Sequence, residues 1–151
     1  MTAAEQGALQ GRTVLLFDGV CGLCNRLVLW LLRADREGRL RFVPLESPLG
    51  RELLGRFSMT PDTNDGVVLL TDILTAQERL YRRSDAMSET LVRIGGGQRL
   101  LGRLLRLCPR PLREWGYGVV ARSRYRLFGQ YDACSMPTEA ERARILGIGS
   151  V

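Results

Sequence analysis

Cys21 and Cys24, three positions apart, are the residues of this chain whose type and spacing point most directly to chemistry. They follow Asp18-Gly19 at the end of an apolar run, Val14-Leu-Leu-Phe17, that reads as a short buried strand. From Leu23 onward Leu27, Val28, Leu31 and Leu32 recur at helical spacing. The pair is therefore expected in the first turn of a helix that leaves the carboxyl end of a strand. The first amides of a helix are unpaired and carry partial positive charge, so an anion is favoured there. A thiolate is such an anion, which marks Cys21 as the attacking sulfur with a lowered pKa. Cys24 then lies on the same helix face, within reach to resolve a mixed disulfide formed on Cys21. Asp18 has two readings: a proton acceptor for Cys24 during that second attack, or a turn and cap residue that holds the loop.

The same spacing is also half of a zinc site, and Cys108 and Cys134 are the thiols that could complete one. They lie far apart in the chain and form no second Cys-x-x-Cys, so a redox pair stands ahead of structural zinc and of two packed thiols. Two absences narrow the field further. No histidine is present, which removes Ser-His-Asp and Cys-His catalysis and any His-bearing zinc site. All 22 basic residues are arginine, so Schiff-base lysine chemistry and a Walker-type phosphate lysine are excluded. Phe17-Asp-Gly-Val20 shares its start with the first motif of haloacid-dehalogenase-like phosphatases, but Val20 stands where that chemistry needs a second aspartate.

Asp18-Gly-Val-Cys21-Gly-Leu-Cys24 resembles the Asp-x-x-Cys-x-x-Cys signature of the DCC family of thiol–disulfide oxidoreductases. The resemblance continues in Tyr81-Arg-Arg-Ser-Asp-Ala86, in Arg122-Ser-Arg-Tyr-Arg-Leu-Phe-Gly129, and in Asp132-Ala-Cys134 with Pro137 after it, and so spans residues 14–146. It implies a thioredoxin-like fold and protein-disulfide reduction. It also implies a cleft to which Arg83, Ser84 and Cys134 could contribute. Capping of a helix by Ser84, with Asp85 in its first turn, accounts for part of the same segment without any cleft role. Cys134 is equally readable as a residue that packs the tail, and Cys108 as a small apolar side chain at a helix end. Two departures from ordinary thioredoxins stand out: Val20 replaces the tryptophan before the first cysteine, and Asp65, not proline, precedes Gly66.

The elements that must position these residues follow from periodicity. Residues 40–45 alternate as a strand with one less buried face, and Pro44 marks its end or an edge position. Ser47-Pro48 opens a short helix carrying Leu49, Leu53, Leu54 and Phe57. Residues 66–71 and 78–82 read as an antiparallel strand pair. A helix capped by Ser84 should end at Gly95-Gly-Gly97, and another spans residues 99–107 to the break at Cys108-Pro109. One helix or a helical pair is expected over 112–128, weakened at Gly116 and Gly118. Thr138-Glu-Ala-Glu141 is a capping box for a last helix ending near Leu146.

That order predicts an α/β chain: a thioredoxin-like mixed four-stranded sheet flanked by helices, with a helical C-terminal extension. The expected divisions are a flexible N-terminus over 1–12, a core over 13–97 and the extension over 98–151, within one domain's worth of chain. Hydrophobic content of 45% and charged content of 25% suit a globular fold. No apolar run reaches the length of a membrane span, and residues 1–12 lack the basic and apolar regions of a signal peptide, so a cytoplasmic location is expected. The net charge of +6 is concentrated in residues 99–126, where eight arginines stand against Glu114 alone. A solvated helical face explains this, and an acidic partner, a membrane surface or nucleic acid would also fit. No bound cofactor or metal is expected beyond the redox pair. The partners implied are a disulfide-bearing protein or small molecule and an upstream thiol reductant. The rival class is a non-catalytic binding or regulatory module with an arginine-rich docking face.

Overall fold

The computed structural model describes residues 1–19, 22–60, 66–128 and 143–146. Its strands β1 (Thr13–Phe17), β2 (Leu40–Pro44), β3 (Val67–Thr71) and β4 (Arg79–Arg82) form one sheet in the order β2-β1-β3-β4. β1 and β2 are parallel, from Thr13 opposite Leu40 to Phe17 opposite Pro44; β3 is antiparallel to β1, and β4 to β3. A parallel pair needs a crossover, and α2 (Gly22–Ala34) supplies it. α3 (Pro48–Gly55) follows β2, with Ser47 as the N-cap whose hydroxyl accepts from Gly50 N at 3.0 Å. α4 (Arg83–Ile94), α5 (Gly96–Leu107) and α6 (Arg110–Phe128) follow the sheet. This is the expected α/β architecture, a mixed four-stranded sheet flanked by helices in a thioredoxin-like arrangement.

Alternation along the central strands makes two cores, because successive side chains point to opposite faces. Leu15 and Phe17 of β1 join Val67 and Leu69 of β3, packed under α2 and α4. Val14 and Leu16 join Val68 and Leu70 on the other face, under Leu49, Leu53 and Leu54 of α3. β2 is an edge strand as Pro44 predicts, but its outer side is not left open. Phe42 N donates to Arg144 O at 2.9 Å and Leu146 N to Phe42 O at 2.7 Å, so a short bridge at Ile145 covers it. Arg144 pairs with the buried Asp35, whose carboxylate also accepts from Arg39 N and Leu40 N at the start of β2.

Several sequence expectations are corrected here. The N-terminus expected to be flexible contains α1 (Ala3–Leu9), closed by a Thr2–Glu5 capping box and anchored by Leu9, which is fully buried in the second core. Residues 143–146, expected to end a helix, form a turn and the bridge to Phe42; Thr138 and Glu141 of the predicted capping box lie outside the described residues. Ser84 does not cap α4. The helix begins two residues earlier than a Ser84 cap would set it, Arg82 holds the N-cap position without a side-chain capping bond, and the Ser84 hydroxyl is directed to Glu114. α5 takes in Gly96 and Gly97 as its first turn, and α6 is one continuous helix through both Gly116 and Gly118.

Candidate active site

The carboxyl end of β1 is where the candidate residues gather. After Phe17 the chain turns through Asp18 and Gly19, held on three sides. Asp18 N donates to Gly66 O at 3.1 Å, Gly19 N to Glu46 Oε2 at 3.3 Å, and Asn25 Nδ2 to Gly19 O at 2.9 Å. Asn25 is buried one helical step beyond Cys24, so α2 itself pins the loop that precedes it. Asp18 is also buried. Gly66, entering β3, adopts φ 72°, a left-handed conformation that glycine takes without the Cβ clash other residues meet.

Cys24 is the third residue of α2 and 5% exposed. Its Sγ lies 3.9 Å from Gly66 O, the carbonyl that also accepts from the Asp18 amide. The backbone of Asp18, the Cys24 thiol and the start of β3 therefore converge on one oxygen. Cys21, which precedes Gly22 at the head of α2, lies outside the described residues, as does Cys134.

Cys24 also forms part of the wall of an open pocket of about 460 Å³, within the size range of small-ligand sites. Leu23 and Leu27 of α2, Val67 of β3 and Met87 of α4 line one side. Tyr117 and Val120 of α6 line the other. The walls are almost wholly apolar. Cys108, at the end of α5, borders the same apolar space and is partly exposed. Ser84 reaches this pocket, whereas Arg83 faces a separate recess with Glu114, Trp115, Gly118 and Arg122.

A polar clamp fastens α6, and thereby the pocket's far wall, to the start of α4. Glu114 accepts from the Ser84 hydroxyl and from Arg83 Nε at 2.9 Å. Arg113 donates to Ser84 Oγ at 3.2 Å, to Asp85 Oδ1 at 2.5 Å and to Leu105 O at 3.3 Å. The Arg83 guanidinium also sits 5.0 Å from the centre of the Tyr117 ring. Burial pushes the Glu114 pKa up, but the bonds from Ser84 and Arg83 outweigh it and hold the carboxyl below its ordinary value. Arg83 itself has φ 55°, a costly conformation for a non-glycine residue, held by these contacts.

Sequence reasoning missed Asn25, Glu46, Arg113 and Glu114. None carries a local motif; each works through a partner distant in sequence or across a loop. Gly66 was noted only for the residue before it, although a lone glycine opening an apolar strand was a usable signal.

A model of DCC1-like thiol-disulfide oxidoreductases matches residues 15–130, a span that starts within β1 and takes in the other three strands and α6. The chain is similar to "Uncharacterized protein YuxK" of Bacillus subtilis, 33% identical over 133 residues that cover 88% of this chain and 93% of that protein. It is similar too to "DCC family protein At1g52590, chloroplastic" of Arabidopsis thaliana, 35% identical over 125 residues, 83% of this chain and 70% of that one. No solved structure matches it.

Proposed function

The chain belongs to the DCC1-like family of thiol-disulfide oxidoreductases, and from that premise we propose that it reduces disulfides through Cys21 and Cys24. The Cys21 thiolate attacks a substrate disulfide, forming a mixed disulfide and expelling one substrate thiolate, which takes a proton from water. Cys24 then gives up its proton and attacks Cys21 Sγ, releasing the second substrate thiol and leaving a Cys21–Cys24 disulfide. Two electrons have passed to the substrate. A dithiol reductant returns them by the reverse exchange.

The observation that carries this reading is the position of Cys24: in the first turn of a helix leaving the end of β1, on the wall of an apolar pocket. A recessed thiol suits the resolving role, since it needs to reach only Cys21 and not free substrate. Asp18 is buried, and its backbone amide shares Gly66 O with the Cys24 thiol; we assign it the role of taking the Cys24 proton. Ser84 borders the substrate pocket; Arg83 supports it from behind by holding α6. The substrate that fits this pocket presents an apolar surface beside its disulfide. The cytoplasm, where thiols are kept reduced, suits such a reductase; the plant relative is named as a chloroplast protein.

The test is turnover of insulin or an aromatic disulfide with dithiothreitol as donor. Cys21→Ser should abolish turnover, and Cys24→Ser should accumulate a substrate adduct on Cys21 that mass spectrometry detects. If both variants turn over at the wild-type rate, the assignment is wrong.

A further inference from the structure

α5 is built the wrong way round for a helix that serves only a core. A surface helix normally turns its apolar stripe inward, yet Leu100, Leu101, Leu104 and Leu107 are 62, 46, 53 and 80% exposed. The buried residue of α5 is Gly102, where the helix crosses close to α4. α6 extends the same apolar surface with Leu112, Trp115, Val119 and Val120, all exposed. Along the flank of the leucine stripe Arg99, Arg103 and Arg106 recur at spacings of four and three, and exposed Arg110 follows at the bend. Arg106 touches Glu89 and Arg110 touches Asp85, while Arg99 Nε donates to a backbone carbonyl, Val92 O, at 3.5 Å.

We propose that the α5–α6 face docks on an anionic lipid bilayer, its leucines entering the boundary between headgroups and acyl chains and its arginines meeting lipid phosphates. Positions 100–107 contain only Leu, Arg and Gly, so this stripe offers no amide or hydroxyl side chain to register a protein partner. Leucines bordered by long cationic side chains, with an indole beside them, match the chemistry of an interfacial helix. The charge is complementary as well: eight arginines against one acid over residues 99–126 favour a surface of phosphates. Leu112 and Val120 belong both to this face and to the pocket that holds Cys24, so docking brings the pocket mouth to the membrane. No helix among the described residues is long and apolar enough to cross a bilayer, so the attachment is to one surface.

The test is sedimentation of the reduced full-length protein with phosphatidylcholine vesicles, with and without about 30% phosphatidylserine. Binding should be about ten-fold tighter to the anionic vesicles at about 0.1 M salt and weaken strongly at about 0.5 M. The double variant Leu104→Glu/Leu107→Glu should lose binding with an unchanged thermal melt, because both side chains are exposed. Arg99→Gln/Arg103→Gln should lose the preference for anionic vesicles. Absence of wild-type binding at low salt overturns the proposal, as does binding that the leucine variant leaves intact. A solution dimer that the leucine variant dissolves, without vesicle binding, assigns the face to self-association and overturns it too. Disulfide turnover in solution is independent of this result.

Discussion

Glu114 binds two residues that open α4 through one carboxylate, and its charge strengthens a clamp on α6 that Arg113 shares through Ser84 and Asp85. Replacing it with Gln should cost about 1.5–3 kcal/mol, the range for hydrogen bonds to a charged group, read as a lower denaturant midpoint. Because its pKa is lowered in the folded chain, the stabilisation is fully present above the ordinary Glu value and is lost as pH falls through the folded one. The gap between wild type and Glu114→Gln should therefore hold from neutral pH down to the ordinary Glu value of about 4.3 and narrow only below it; a gap that stays constant through that acid range would mean the carboxylate's charge contributes nothing. Thiol burial gives a second expectation. Cys108 is partly exposed and Cys24 is not, so a bulky maleimide should label Cys108 first in the folded, reduced protein, with Cys24 following only on local opening. Equal rates would place Cys24 nearer solvent than described.

α5 and α4 meet at Gly102, where a Cβ would lie 2.8 Å from Ser88 O and from Val92 Cγ2. Because one of those atoms is backbone, Gly102→Val should force the helices apart and cost about 1–3 kcal/mol, with hydrogen exchange quickening in α5 before the sheet. A variant as stable as wild type would remove the seam from the account. The strands and α2 were legible in the sequence because their signal is local: apolar runs, alternation and a break at Asp18-Gly19. α1 was equally legible in principle, since Thr2-Ala-Ala-Glu5 is a capping box, but a short polar stretch with Leu9 as its one anchor reads as a tail. The start of α4 was misread because the Ser84 hydroxyl serves a residue thirty positions on, which no capping rule can see. α6 runs through two glycines for a similar reason. Gly116 leaves room for the pocket, and a Cβ on Gly118 would come within 3.3 Å of the Arg83 guanidinium.

At the scale of the whole chain, the sheet presents the Cys-bearing helix and the C-terminal helices enclose what it presents. The pocket exists only because α6 lies across from α2 and β3, so it could not be read from the motif, which names the thiols and not the space beside them. The arginine-rich segment was visible as charge, whereas its exposed leucines emerged only once α5 was seen to spend Gly102, and no leucine stripe, on its contact with α4. The central claim is that Cys21 and Cys24 cycle between dithiol and disulfide. It is tested most directly by equilibrating the purified protein in glutathione or dithiothreitol buffers over about −350 to −150 mV, followed by acid quench, alkylation and peptide mapping. The account predicts one reversible two-electron transition that maps to a Cys21–Cys24 disulfide and persists in Cys108→Ser. Thiols that stay reduced throughout, or a disulfide joining either residue to Cys108 or Cys134 instead, would contradict it.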